Sequence, residues 1–281
     1  MLGYFLGLTT IDLQYLVNSF PRENFKQKST DFCINIGGPA LNAAATFVRL
    51  GGKAKFFTVI GSNPMRPYIL AEAEKIGIDI VDLSPDDPEL PIMATVISND
   101  QTGDRSILRN TGRQPQLNLE ILNKGLTDTP DIALLDGFHM DAAPIFAEYV
   151  RGQSKVVVMD GGSWKPRSPE LIALSDVAIC SADFQTPKLS VFEYLKKEGV
   201  KYRAISRGAE PILFEEGHEK GSIEVPQVKV IDTLGAGDIL HGAFAYYFAK
   251  GNSFQLALAK GAGIASMSTS WFGTRLPSQN Q

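Results

Sequence analysis

A chain of 281 residues, 44% hydrophobic and 21% charged, has the composition of a soluble globular protein with ample length for a large core. Its formal net charge of -4 argues against nucleic acid as the main partner, though a local basic patch for a phosphorylated ligand is compatible with it. Two cysteines, Cys33 and Cys180, occur without a CxxC or a histidine cluster, which fits a reducing compartment and no structural metal. Met1 to Thr10 is apolar but lacks a basic start and meets Asp12 too early for a signal peptide. No run approaches the ~18 apolar residues of a membrane span. The expectation is a cytoplasmic protein without a membrane partner.

In chain order, Tyr4 to Leu8 reads as a first strand, followed by a loop carrying Asp12. Asp31 to Ile36 alternates apolar and polar residues and reads as extended. Gly37-Gly38-Pro39 then opens a small-residue helix from Ala40 to Leu50, stopped by Gly51-Gly52. A strand at Ala54 to Ile60 and a helix at Pro64 to Ile76 continue an alternation that favours a sheet with a parallel core. Ile92 to Ser98 and Ser106 to Asn110 break the alternation as a hairpin with a Gly-containing turn, a candidate lid. A strand period of two places Arg105, Ile107 and Arg109 on one face of it. Alternation resumes with strands at Asp131 to Leu135, Lys155 to Met159, Val177 to Ile179 and Tyr202 to Ile205. Helices lie between, at roughly Ala142 to Arg151, Pro169 to Leu174 and Leu189 to Glu198. A second hairpin, Pro211 to Phe214 and His218 to Val225, precedes the run Val230 to Asp238. Two helices follow, Ala236 to Lys250 and Ser253 to Thr269. With no repeat and no long linker, one αβα domain with a small β lid accounts for the pattern.

The run Val230-Ile231-Asp232-Thr233-Leu234-Gly235-Ala236-Gly237-Asp238 leads small residues into an amphipathic helix, so several backbone N–H groups and the helix dipole aim at one point. An anion belongs there, and the carboxylate of Asp238 beside it suits a base in phosphoryl transfer. On the helix alone, Asp238 reads equally well as a cap. Neither GxxxxGK[ST] nor GxGxxG is present, so the phosphate site is of another kind.

Two stretches together carry a resemblance to the ribokinase-like (PfkB) carbohydrate kinases. They are Gly37-Gly38-Pro39-Ala40-Leu41-Asn42-Ala43-Ala44-Ala45 with Gly51-Gly52, and Asp232 to Asp238 with Gly242-Ala243-Phe244. The resemblance covers almost the whole chain. It implies an α/β fold, a three-layer αβα sandwich with a mostly parallel central sheet and a small β-strand lid. One kinase domain would span 1–281, with lid strands from about 11–36 and 92–110. It also implies an ATP-dependent kinase acting on a sugar hydroxyl, with ATP and Mg2+ required and a homodimer formed through the lid.

By the same resemblance Asp238 is the catalytic base, and the backbone of Gly235, Ala236 and Gly237 is the anion hole. Asp12, Gly38 and Asn42 grip sugar hydroxyls, work that suits a carboxylate, an amide and a glycine open to close approach. Arg105, in Gly103-Asp104-Arg105-Ser106-Ile107, is similar to an arginine of ketohexokinase-type members that reaches a phosphate. A solvated lid strand protecting its edge is its alternative reading. Ser206 and Gly208 approach the ATP phosphates, and Ala262 and Ala265 leave room for adenine or simply pack tightly. Ser181-Ala182-Asp183 stands where many members carry Asn-x-x-Glu, so Asp183 orders metal-bound water or ATP itself holds the metal. His241 tunes the base or is a packed structural histidine. A nucleoside kinase and a non-catalytic sugar- or nucleotide-binding homologue are the competing functions.

Overall fold

Continuous apolar runs such as those around Leu134 and Val158 leave no polar face to give to water, so they fit only the middle of a sheet covered on both sides. The computed structural model describes residues 1–112 and 115–277; residues 113–114 and 278–281 of the expected 1–281 domain lie outside the described residues. The strands are β1 (Leu2–Leu6), β2 (Thr10–Val17), β3 (Asp31–Gly37), β4 (Lys53–Thr58), β5 (Ile78–Asp82), β6 (Ile92–Asn99), β7 (Arg105–Arg109), β8 (Ile132–Leu135), β9 (Val156–Gly161), β10 (Val177–Ser181), β11 (Tyr202–Arg207), β12 (Glu210–Glu216) and β13 (Glu219–Ile223). The helices are α1 (Pro39–Arg49), α2 (Arg66–Ile76), α3 (Leu119–Gly125), α4 (Ala143–Gly152), α5 (Ser168–Ala173), α6 (Val191–Lys197), α7 (Ala236–Ala249) and α8 (Phe254–Ser268).

The larger sheet runs β13-β12-β11-β10-β9-β8-β1-β4-β5. It is parallel from β5 to β11, and at its other end β12 runs antiparallel to both β11 and the edge strand β13. Alternate residues of each central strand enter two separate cores. Phe5, Phe56, Leu134 and Val158 face a layer that includes α1, α2, α7 and α8, while Tyr4, Leu6, Phe57 and Leu135 face the layer built by α3 to α6. The fold is therefore the expected three-layer αβα sandwich. Burial of each such large side chain contributes about 1.5–3 kcal/mol. Among the described residues no helix is long and apolar enough to cross a membrane.

A smaller sheet, β3-β2-β6-β7, forms the lid. Its outer pairs are antiparallel, and its central pair β2 and β6 is parallel. Here the structure corrects one expectation: Asp12 lies within strand β2, not in a loop. The residues Thr10 to Val17 alternate between the two faces of the lid, a pattern hidden because both faces are largely covered. Two elements are additional. Strand β5 follows directly from the left-handed Gly77 that ends α2, and α3 is nucleated by Asn118, whose side chain accepts the N–H groups of Glu120 and Ile121.

The order of the large sheet reverses direction between β8 and β1. Ligand crevices of open α/β sheets form at such points, at the carboxyl ends of the strands. Two helices begin there. Helix α1 starts with Pro39 after Gly38, held at φ 112°, and α7 starts after Gly235, held at φ 70°. They pack tightly because Gly242 of α7 has no side chain: a Cβ there would lie 2.8 Å from both the Cα and the carbonyl carbon of Ala43.

Candidate active site

The first turn of α7 has the geometry that an anion hole requires. The Leu234 N–H is taken by Asp232 Oδ1 at 3.0 Å, and Ala236 makes a long bond of 3.4 Å to the Thr233 carbonyl. The N–H groups of Gly235, Gly237 and Asp238 have no protein acceptor among the described residues. A Cβ on Gly237 would meet nothing within 4 Å, so the turn is open beside that residue. Unmet donors at a helix start favour an anion both by hydrogen bonding and by the dipole.

Asp238 sits on this turn without capping its own helix, since α7 has no side-chain cap. The cap reading of Asp238 thereby falls away. Its Oδ2 accepts the Asn42 Nδ2–H at 2.7 Å across the α1–α7 contact. Burial, and next the carboxylate of Asp160, push its carboxyl up from 3.8 to about 7, against the Asn42 hydrogen bond and the charge of His241. A carboxyl poised near neutrality is suited to accept a proton at ordinary pH.

Asp12 and Gly38 lie on the same side of the crevice as Asn42. Asp12 is 7% exposed; its Oδ1 accepts the Thr10 hydroxyl at 2.7 Å, and its Oδ2 has no protein donor among the described residues. Burial raises its pKa, and Thr10 and then Arg275 oppose the rise. The lid brings Asp12 here because inward positions along β2, β3 and β6 pair in register: Asp12 with Asn35 and Ala94, Gln14 with Cys33 and Val96.

Arg105 reaches into the site. Its Nη1–H donates to the Thr233 hydroxyl at 2.7 Å, and that hydroxyl donates to the Gly103 carbonyl at 3.1 Å. The hairpin tip is therefore docked on the residues leading to the anion hole, beyond what edge protection requires. Arg109 shares the face of Arg105 and is exposed.

Beside the anion hole opens a cleft of about 580 Å³. Ser206, Gly208, Ala262, Ala265 and Gly237 line it, together with Asp183 and Arg105. Ala262 is 2% and Ala265 9% exposed, so α8 both packs tightly and presents a smooth wall. Asp183 is exposed at the cleft, its backbone N–H bonded to the Ser181 hydroxyl at 3.1 Å.

His241 is packed beneath the site. Its Nδ1 lies 2.7 Å from the Gly237 carbonyl and its Nε2 3.0 Å from the Ile179 carbonyl, with Asp160 Oδ2 at 3.5 Å. These contacts lock α7 to the sheet, as the structural reading of His241 requires.

Three site residues escape sequence reading. Asp136 and Asp160 each follow an apolar run at the carboxyl end of a central strand, a signal that could have flagged them. Asp136 caps α1 from a distance, taking the N–H groups of Ala40 at 3.2 Å, Leu8 at 3.0 Å and Phe138 at 3.0 Å. Burial nevertheless pushes it up to about 6. Asp160 Oδ2 is buried without a hydrogen-bond partner. Arg275, in the segment after α8, donates to Asn42 Oδ1 at 2.6 Å, and no periodicity or motif marks it.

A free-donor pocket, a carboxyl poised near neutrality and an adjoining cleft are the parts of a phosphoryl-transfer site, and comparison with known proteins agrees. The family model described as pfkB family carbohydrate kinase matches residues 4–281. Mouse (Mus musculus) ketohexokinase is 22% identical over 92% of this chain and 93% of its own length. Deoxyribokinase of Salmonella typhi is 23% identical over 96% and 93%. In fold, ribokinase from Arabidopsis thaliana, solved with ribose and ATP, superposes with TM-score 0.75 at 22% identity, covering 96% of this chain and 93% of that one. Ribokinase from Giardia lamblia gives TM-score 0.80 at 16% identity, covering 97% and 94%. The chain belongs to the pfkB family of carbohydrate kinases, which are ATP-dependent phosphotransferases.

Proposed function

We propose that the chain is a cytoplasmic kinase that transfers the γ-phosphoryl group of ATP to a hydroxyl of a small sugar, with Asp238 as general base. The observation that carries this reading is the placement of Asp238, whose Oδ1 has no protein donor among the described residues, on the turn that presents the unbonded N–H groups of Gly235 and Gly237. The acceptor hydroxyl gives its proton to Asp238 as its oxygen forms a bond to the γ-phosphorus. The bond to the β,γ-bridging oxygen breaks and ADP leaves. In a loose transition state, positioning and charge stabilisation contribute most, and the anion hole and Arg105 supply them. Asp12, Asn42 and the Gly38 backbone orient the acceptor, and the cleft along Ser206, Gly208, Ala262 and Ala265 takes the nucleotide.

Among the described residues no cluster of His, Cys, Asp or Glu side chains is placed to hold a metal directly. Hard oxygen donors are nevertheless at hand in Asp183 on the cleft wall and in the unbonded Asp160 Oδ2. They suit Mg2+ that enters with ATP and keeps its waters. When bound, Mg2+ supplies neutralisation of the transferring phosphoryl group.

A sugar is favoured over a nucleoside by the lid. Its inward face over the site carries Asp12, Gln14 and Asn35, suited to hydroxyls. The Tyr15 and Phe32 rings, tilted at 40° with centroids 4.7 Å apart and the natural shelf for a base, lie on the outward face. That outward face, with Phe32 and Ile34 of β3 exposed, is the one a dimer through the lid would cover. A dimer is expected by sedimentation.

ADP release measured over a panel of pentoses, ketoses, sugar phosphates and nucleosides tests the reading. Turnover with a sugar is expected; turnover confined to nucleosides, or none at all, would overturn it in favour of the nucleoside kinase or the non-catalytic homologue. Replacing Arg105 by Ala should raise the KM for ATP by roughly 10-fold or more, the value of a charge-assisted hydrogen bond. An unchanged KM would return Arg105 to edge protection.

A further inference from the structure

Past α8 the chain turns back across the site. The Gly273 N–H donates to Asp232 Oδ2 at 3.1 Å, the Trp271 Nε1–H donates to the Arg275 carbonyl at 3.0 Å, and Leu276 packs on the core of the α1 layer. Asp232 also accepts the Ser98 hydroxyl of the lid at 2.9 Å and the Leu234 N–H. One buried carboxylate thus ties the lid, the anion-hole loop and the C-terminal segment together, and this tether delivers the Arg275 guanidinium onto Asn42.

Arg275 Nη1 donates to Asn42 Oδ1 at 2.6 Å, to the Thr274 hydroxyl at 3.0 Å and to the Thr274 carbonyl at 3.3 Å; Nη2 donates to the Ile36 carbonyl. All of these partners are neutral. A partly buried cation with only neutral partners is costly to the fold, and burial pushes this guanidinium down to about 10, opposed by the charges of Asp12 and Asp238. A guanidinium has donors only, so the side of Asn42 that faces it must be the oxygen. The amide nitrogen is thereby directed at Asp238. An Asn in the same place without Arg275 could turn over and present its oxygen to the base, a repulsive arrangement.

We propose that Arg275 is a positioning residue for the transfer reaction: it fixes the Asn42 amide so that Nδ2–H holds Asp238 Oδ2, and its charge favours the ionised base. The proposal rests on the reading of Asp238 as the base. The other groups around Asp238 are Asp160 of β9 and Asp136 after β8, which favour its acid form, and His241 of α7, which opposes them. Asp12 of the lid shares the field of Arg275. Arg275 is the nearby cation that also touches the amide on the base.

Two variants separate charge from orientation. Arg275→Gln keeps donors and loses the charge, while Arg275→Lys keeps the charge and loses the planar fork. For Arg275→Gln we expect kcat lowered roughly 10- to 100-fold, as for an ångström-scale misplacement, with the KM for ATP little changed and the acid limb of kcat/KM moved to higher pH. Arg275→Lys should return the limb to its wild-type position while kcat stays low. Added methylguanidinium should restore part of the rate of Arg275→Gln. A second readout needs no turnover: the carboxyl titration of Asp238 in protein labelled with carbon-13 aspartate, its resonance assigned by loss in Asp238→Asn. Its midpoint should rise in Arg275→Gln. An unmoved midpoint in the folded Gln variant, or wild-type kcat in the Lys variant, would overturn the proposal. Should the Gln variant not fold, the kcat of the Lys variant decides alone. Absence of transfer to every acceptor, with a midpoint that still depends on Arg275, would instead remove the reading of Asp238 as base and leave the coupling standing.

Discussion

Asp238→Asn is expected to lower kcat by roughly 10²–10⁴-fold, the usual worth of a positioned general base, while ATP binding in the cleft persists. The same substitution should make the protein more stable at pH 8. The sign follows from the direction of the shift. The folded-state pKa of Asp238 is raised from 3.8 to about 7, so the fold favours the protonated form. The stability contributed by that preference is fully present below the ordinary carboxyl value and is lost as pH rises through about 7. Above that pH the wild-type protein holds an ionised carboxylate beside Asp160, and asparagine does not. Melting temperatures of the two proteins at pH 5 and pH 8 check this: the variant should gain more at pH 8. A base that costs stability where it is active is a sign of function. Equal melting curves at both pH values would show that the carboxyl is not strained and would weaken its assignment as base.

Gly242→Ala should damage both fold and catalysis, because the contact it occupies sets the distance between the two halves of the site. A Cβ at Gly242 would overlap the Ala43 carbonyl, and overpacking of this kind costs about 1–3 kcal/mol, sometimes more. For a chain of this size that corresponds to a melting temperature lowered by about 2–4 °C per kcal/mol. Ala43 follows Asn42, and Gly242 lies one turn beyond Asp238, so moving α7 from α1 stretches the 2.7 Å bond between Asn42 and the base. The expected outcome is a fall in kcat larger than the fall in stability would produce at a temperature where the variant remains folded. A melting temperature equal to the wild type would contradict the packing account.

Much of this site was legible in the sequence because its parts are local. The small-residue run before α7 and the Gly-Gly-Pro opening of α1 each make a helix start with special backbone geometry, and such geometry needs glycine at fixed positions. Asp238 and Asn42 sit at fixed offsets from those glycines, and the family resemblance that these stretches carry implies their roles. The face shared by Arg105 and Arg109 followed from the strand period alone. Illegible were the features that depend on distant segments meeting. Asp12 reads as a loop residue in the sequence because both faces of β2 are largely covered, so Thr10 to Val17 shows no clean apolar–polar alternation. Strand β5 was missed because it follows a helix without a separating turn. Arg275 comes to Asn42 through the bond between Gly273 and Asp232, a contact between residues far apart in the chain that no local pattern announces. The hydrogen-bond requirement of a buried amide does announce that Asn42 needs partners; it does not say that one of them is a guanidinium.

The most direct test of the account is transfer of label from γ-labelled ATP to the best sugar of the acceptor panel, followed from pH 5 to 9 in the wild-type protein and in Asp238→Asn. Labelled sugar phosphate should form in step with ADP, kcat/KM should rise with pH and level off above about 7 as Asp238 ionises, and the Asn variant should lose both the rate and that limb. Label released only as inorganic phosphate, or an acid limb that survives in Asp238→Asn, would contradict it.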